Sequence, residues 1–119
     1  MMQKLLFIFN ESPYGTEKTF NGLRYAVNLL EEYGKEVEVK AFFFSDSVLA
    51  GLAGQNPNDG YNVQQTLEIL TGLGAEAKLC TSCTKARGIT HLPLVQGVTV
   101  GTLDDVSAWT LWADKVVNF

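Results

Sequence analysis

The chain holds two cysteines, Cys80 and Cys83, separated only by Thr81 and Ser82. Sulfur acts as nucleophile or metal ligand in its thiolate form, so the question is what surrounds this pair. A structural disulfide is a poor reading, because a C-x-x-C pair closes almost no loop and reducing compartments disfavour it. Three readings remain: reactive thiol chemistry, metal ligation, or inert burial of two small side chains at the end of a strand. If residues 81–87 are helical, Cys80 takes the N-cap and Cys83 the first turn, where unpaired N–H groups and the helix dipole favour an anion. Lys85 and Arg87 add positive charge nearby. A fall in thiol pKa from about 8.5 to about 7 raises the thiolate fraction at neutral pH from a few per cent to about half. A persulfide anion, R–S–S⁻, would be held by the same surroundings.

A tetrahedral metal site needs about four ligands. The chain offers two sulfurs and one histidine, His91, with no spacing that completes a set, so no metal and no cofactor is expected. A thioredoxin-type dithiol also follows a strand and opens a helix. Against it, no proline lies between the cysteines and no tryptophan precedes them, although the Leu92–Pro93 bond is a candidate for the cis form. Phosphate-loop, dinucleotide, zinc-protease and nucleophile-elbow signatures are absent, and a single histidine leaves a Ser-His-Asp triad without a local signature. Residues 10–15, Asn-Glu-Ser-Pro-Tyr-Gly, are suited to approach an anion but fit a plain turn better.

The positioning elements follow from hydrophobic spacing. Residues 4–10 form a compact apolar run bounded by turn formers and read as a buried strand. From Thr16 a helix is predicted, with Phe20, Leu23, Val27 and Leu30 inward and Gly34 at its end. Residues 36–44 alternate and then finish in Phe42-Phe43-Phe44, a strand passing into the interior. Residues 45–61 are irregular, with a short helix over 48–53 and a long polar loop; in so small a domain such a loop is more often functional or interfacial than idle. Asn62 with Gln65 resembles a capping box, opening a helix through Val63, Leu67, Leu70 and Leu73 to Gly74. Strands are predicted over 75–79, 95–100 and 115–119. Between the last two, Thr102 caps a helix with Asp104 and Asp105 in its first turn, which carries Leu103, Val106, Trp109 and Ala113 inward; Trp109 and Trp112 read as core.

Alternating strands and helices predict an α/β domain over residues 1–119, a flavodoxin-like three-layer arrangement with a five-stranded parallel sheet in the order 2-1-3-4-5. Ligand chemistry is then expected at the C-terminal ends of strands one and three, residues 10–15 and Cys80 onward.

At 119 residues the chain suits one domain. Hydrophobic residues at 46% and charged residues at 18% exclude a disordered or fibrous chain. Low charge with a mean hydropathy of +0.06 hints that a second copy or a partner covers apolar surface. A net charge of −4 and a pI near 4.8 leave little field for a polyanion, so no direct nucleic-acid binding is expected, a local patch at Lys78, Lys85 and Arg87 aside. Leu5-Leu6-Phe7-Ile8-Phe9 is too short for the apolar segment of a secretory signal, and no run suits a membrane span. A soluble cytoplasmic protein is the expectation, which makes the Asn10-Glu11-Ser12 glycosylation pattern an accidental match.

As a combination, the chain resembles the DsrE/DsrF-like family of small sulfur-relay proteins, in its YchN-like branch of stand-alone members. The residues that carry the likeness are Asn10 with Pro13-Tyr14-Gly15, Ser45-Asp46, Gly54-Gln55 through Gly60-Tyr61-Asn62, Cys80 and Cys83 leading to Arg87-Gly88-Ile89, and Gly101-Thr102-Leu103 with Trp109 and Ala113-Asp114-Lys115. The resemblance implies that a cysteine ending the third strand, here Cys80, accepts sulfane sulfur as a persulfide and passes it to a partner protein. Cys83 has no counterpart in many relay members, and one basic residue, Arg87, stands where they often have two. Cys80, Cys83 and Arg87 are accordingly the candidate catalytic set, Cys83 as a residue that resolves a persulfide or disulfide on Cys80. The resemblance also implies homo-oligomers, trimers stacked into hexamers, with residues 45–61 as a contact or cysteine-covering loop. The expected function is a sulfur carrier or sulfurtransferase-like protein; the alternative is a non-enzymatic assembly or small-ligand binding protein with structural cysteines.

Overall fold

In the computed structural model, which describes residues 2–119, five parallel strands form one sheet with helices on both faces. In chain order the elements are β1 Gln3–Phe9, α1 Lys18–Tyr33, β2 Val37–Phe43, a 3-10 turn Ser45–Gly51, α2 Val63–Gly72, β3 Glu76–Cys80, α3 Thr81–Ala86, β4 Val98–Gly101, α4 Leu103–Trp112 and β5 Lys115–Asn118. The α/β class and the parallel sheet are those the alternating pattern predicts.

The strand order is β4-β3-β2-β1-β5. The β1–β2 and β3–β4 pairings match the expected order 2-1-3-4-5, and the other two do not: β3 pairs with β2 rather than β1, and β5 lies beside β1 rather than β4. Burial explains the difference. Phe42 and Phe43 are adjacent and both fully buried; successive strand residues face opposite sides, so β2 is covered on both and belongs in the middle. β5 is short and largely exposed, as an edge strand tolerates.

Phe7 meets Tyr25 of α1 edge to face at 5.5 Å, and Phe9 stacks on Phe43 at 4.8 Å. On the opposite side Phe42 meets Trp109 of α4 at 6.2 Å. Phe7, Phe9, Phe42 and Phe43 are fully buried, each contributing about 1.5–3 kcal/mol relative to exposure. α1 lies close on β1 because residue 22 is glycine: a Cβ there would stand 2.4 Å from Phe9 Cε1 and 2.8 Å from the Phe119 ring. α4 starts with a full capping box, Thr102 Oγ1 accepting from the Asp105 N–H and Asp105 Oδ2 from the Thr102 N–H. Val106 and Trp109 point inward as expected, whereas Leu103, the first residue of α4, is 64% exposed. Asn62 caps α2 through the Gln65 N–H at 3.1 Å.

The polar stretch after the 3-10 turn is tied to the loop that follows β1. Tyr14 donates its hydroxyl to Gln55 Oε1 at 2.7 Å and accepts from the Val63 N–H at 3.1 Å, and Tyr61 stacks on Phe20 at 4.1 Å. Of residues 45–61, Ser45 contacts the cysteine pair, through Cys83 Sγ. With this strand order the connections change their direction of progress across the sheet between the parallel strands β1 and β5, where Asn10 N–H donates to the Phe119 carbonyl at 3.0 Å. Residues 10–15 form a bonded turn there, separated from Cys80 by β2.

Candidate functional site

Cys80 ends β3 and is the N-cap of α3, as its position in the sequence predicts. The residue is 5% exposed and borders a hollow of about 310 Å³ lined by Thr81, Ser82, Thr102, Leu103 and Asp104, between the starts of α3 and α4. Thr81 fixes the floor by donating its hydroxyl to the Gly101 carbonyl at 2.7 Å, which joins α3 to the end of β4. Thr84, also buried, donates to the Thr81 carbonyl at 2.8 Å.

Desolvation by burial pushes the Cys80 thiol above its ordinary value, and the nearby Cys83 thiol adds to the rise. N–H groups of Cys83 and Ser82 pull the other way without prevailing. This corrects the expectation of a lowered pKa: removal of the sulfur from water outweighs the two N–H groups that the start of α3 offers it.

Cys83 is half-buried and turns toward the end of β2. Its Sγ accepts the Ser45 N–H at 3.1 Å. Ser45 has φ +55, a left-handed conformation that non-glycine residues seldom adopt, and the turn it opens is anchored by the fully buried Ser47, whose hydroxyl donates to the Phe44 carbonyl at 2.6 Å.

Arg87 lies at the far end of α3 from Cys80. Its Nε and Nη2 donate to Asp46 Oδ1 at 2.9 and 2.7 Å, and Nη1 donates to the Cys83 carbonyl at 3.2 Å. The guanidinium clamps the 3-10 turn to α3 and is turned away from the Cys80 hollow. Lys85 is exposed, and Lys78 pairs with Asp105 at 3.5 Å and stands 5.3 Å from the Trp109 ring. The three basic residues do not form a free patch.

The structure thus brings Cys80 and Cys83 together and reaches Arg87 only through Asp46 and the Cys83 backbone. The candidate catalytic set omitted Ser45 and Asp46, just after β2, and Thr102 and Asp104, just after β4. The one available signal was the Ser-Asp pair directly after three phenylalanines, at the mouth of a buried strand. His91 is exposed in the β3–β4 connection, and among the described residues no group of three or more His, Cys, Asp or Glu side chains assembles. No described peptide bond is cis, Leu92–Pro93 included, and no described helix is long and apolar enough to cross a membrane.

Protein YchN of Escherichia coli K12 is 50% identical over 118 residues, covering 99% of this chain and 100% of that one. The YchN crystal structure superposes with a TM-score of 0.95 over the same shares of the two chains. A sulfurtransferase TusD homologue of Haemophilus influenzae is 30% identical over 121 residues, covering 91% of this chain and 94% of its own. MTH1491 of Methanobacterium thermoautotrophicum, 17% identical with a TM-score of 0.72 and covering 98% and 99%, shares the fold. The DsrE/DsrF-like family model matches residues 3–119, β1 through β5 with the cysteine pair between, and the chain belongs to that family.

Proposed function

We propose that the chain is a sulfur carrier or sulfurtransferase-like protein, one domain over residues 1–119, that stores sulfane sulfur as a persulfide on Cys80 and passes it to a partner. The observation that carries this reading is the placement of Cys80, a sulfur at the end of a parallel strand beside a hollow of about 310 Å³ within a sulfur-relay family. Transfer is thiol–disulfide-type exchange: a thiolate attacks the outer sulfur of a persulfide, and the S–S bond breaks with its electron pair on the departing sulfur. The N–H groups of Ser82 and Cys83 that face the Cys80 sulfur would stabilise charge on a stored persulfide. Arg87 acts at one remove, holding the Ser45–Asp46 turn against Cys83. The protein needs no cofactor in this role, works in the reducing cytoplasm where thiols persist, and takes donor and acceptor proteins as partners. Leu111, 89% exposed, and Leu103 on α4 support a homo-oligomer, a trimer or hexamer, that covers them.

Intact-protein mass spectrometry after exposure to a sulfane-sulfur donor tests the reading. The expected product is a gain of about 32 Da, located on Cys80 in the wild type and retained at the end point in Cys83→Ser. No gain on any form overturns it. The burial of Cys80 favours a second reading, an assembly or small-ligand binding protein with structural cysteines; it requires alkylation of both thiols to stay slow across the pH range and assembly to be indifferent to Cys80→Ala.

A further inference from the structure

The two sulfurs have different surroundings. Cys80 borders the hollow between α3 and α4, whereas Cys83 meets the 3-10 turn at the end of β2 and is the less buried of the two. The polar contact at Cys83 is the Ser45 N–H, at 3.1 Å from a backbone in the left-handed region. An N–H···S contact to a neutral thiol is weak, and it strengthens when the sulfur carries charge. The Asp46–Arg87 ion pair, with Arg87 also on the Cys83 carbonyl, fixes both partners of that contact from each side.

We infer that Cys83 is the entry sulfur, taking sulfane sulfur from the donor at the β2 side and handing it to Cys80, which releases it at the α4 side. This rests on the sulfur-carrier reading and assigns it a direction. In the first step the Cys83 thiolate attacks the outer sulfur of a donor persulfide, R–S–SH; the donor S–S bond breaks with its pair on R–S⁻, leaving Cys83–S–SH, which ionises to Cys83–S–S⁻. In the second step the Cys80 proton passes to that terminal sulfur and the Cys80 thiolate so formed attacks it. The Cys83 S–S bond breaks with its electron pair on Cys83 Sγ, where the Ser45 N–H receives the charge. The sum, Cys83–S–S⁻ plus Cys80–SH giving Cys83–S⁻ plus Cys80–S–SH, conserves atoms, charge and oxidation level. Burial of Cys80 makes it a poor partner for a donor in solution, since its proton is held by desolvation. The same proton is what the second step consumes, and proximity within one helical turn offsets the weak nucleophile.

The test is rapid-quench loading with glutathione persulfide, followed by alkylation and fragment-ion mapping of the peptide that contains both cysteines. Sulfur is expected first on Cys83 and then on Cys80, with Cys80 loading slowed at least about tenfold in Cys83→Ser and Cys83→Ala, both checked for native melting, and its end point unchanged. In Cys80→Ser the sulfur stays on Cys83. Undiminished Cys80 loading in the two Cys83 variants overturns the entry role and leaves the carrier reading standing. Sulfur that never leaves Cys83 in the wild type overturns the hand-over. Absence of sulfur from both cysteines removes the carrier reading and this inference together.

Discussion

At Cys80, desolvation acts against two backbone N–H groups, and desolvation prevails, so the folded chain keeps the thiol proton longer than the unfolded chain does. Stability from this source is fully present below the ordinary thiol pKa and is lost as pH rises from that value through the raised folded one. Urea unfolding near neutral pH and at about pH 10 should show a larger loss for the wild type than for Cys80→Ser, whose hydroxyl does not titrate. Equal losses in both proteins would mean that the thiol is not desolvated. The placement of Cys80 as a helix N-cap was legible from its neighbours, but the sign of its pKa shift was not. N–H groups are counted along the chain, whereas desolvation depends on segments packed together from elsewhere in the sequence. Arg87 shows the same division: its charge could be read from sequence, but its engagement with Asp46, 41 positions away, could not.

At the scale of elements, α4 provides the clearest test of local encoding. Thr102→Ala removes the hydroxyl that accepts the Asp105 N–H and is expected to cost about 1 kcal/mol in chemical denaturation. The Asp105 carboxyl is held below the usual carboxylate range by the Thr102 N–H first and by the Lys78 charge in addition. Its contribution is therefore present above the unfolded carboxylate pKa and disappears as pH falls through the lowered folded value. An acid titration of stability should be flatter for Asp105→Asn than for the wild type. At the α1–β1 contact, Gly22→Ala pushes a Cβ into the Phe9 and Phe119 rings. Phe9 is stacked on Phe43 and cannot yield freely. Overpacking of about 1–3 kcal/mol should exceed the helix-propensity gain of about 1 kcal/mol, and a higher melting temperature would show that the rings move aside. Capping and periodicity made these helices readable; Leu103, expected inward and found exposed, was not, because the first residue of α4 lies where the helix has only begun to pack on the sheet.

At the scale of the molecule, apolar side chains remain on the outside of α4 and the adjoining strands: Leu111 is 89% exposed, Leu103 64%, Val116 43% and Val100 37%. Leu111→Glu is expected to move sedimentation toward the monomer while changing the stability of the subunit by no more than about 0.5 kcal/mol. Unchanged sedimentation would show that this face is not where copies meet.

The order of the strands was the part of the architecture least accessible to local reading. Pattern alone determined that strands alternate with helices, that the sheet is parallel, which segments form its core, and that Cys80 stands where β3 gives way to α3, because each follows from periodicity, capping and residue volume within a few positions. Packing decided that β2 rather than β1 neighbours β3, that Ser45 and Asp46 join the cysteine pair, and that burial raises the Cys80 thiol above its ordinary pKa. Those outcomes depend on which surfaces exclude water from one another, and that is settled between segments distant in the chain.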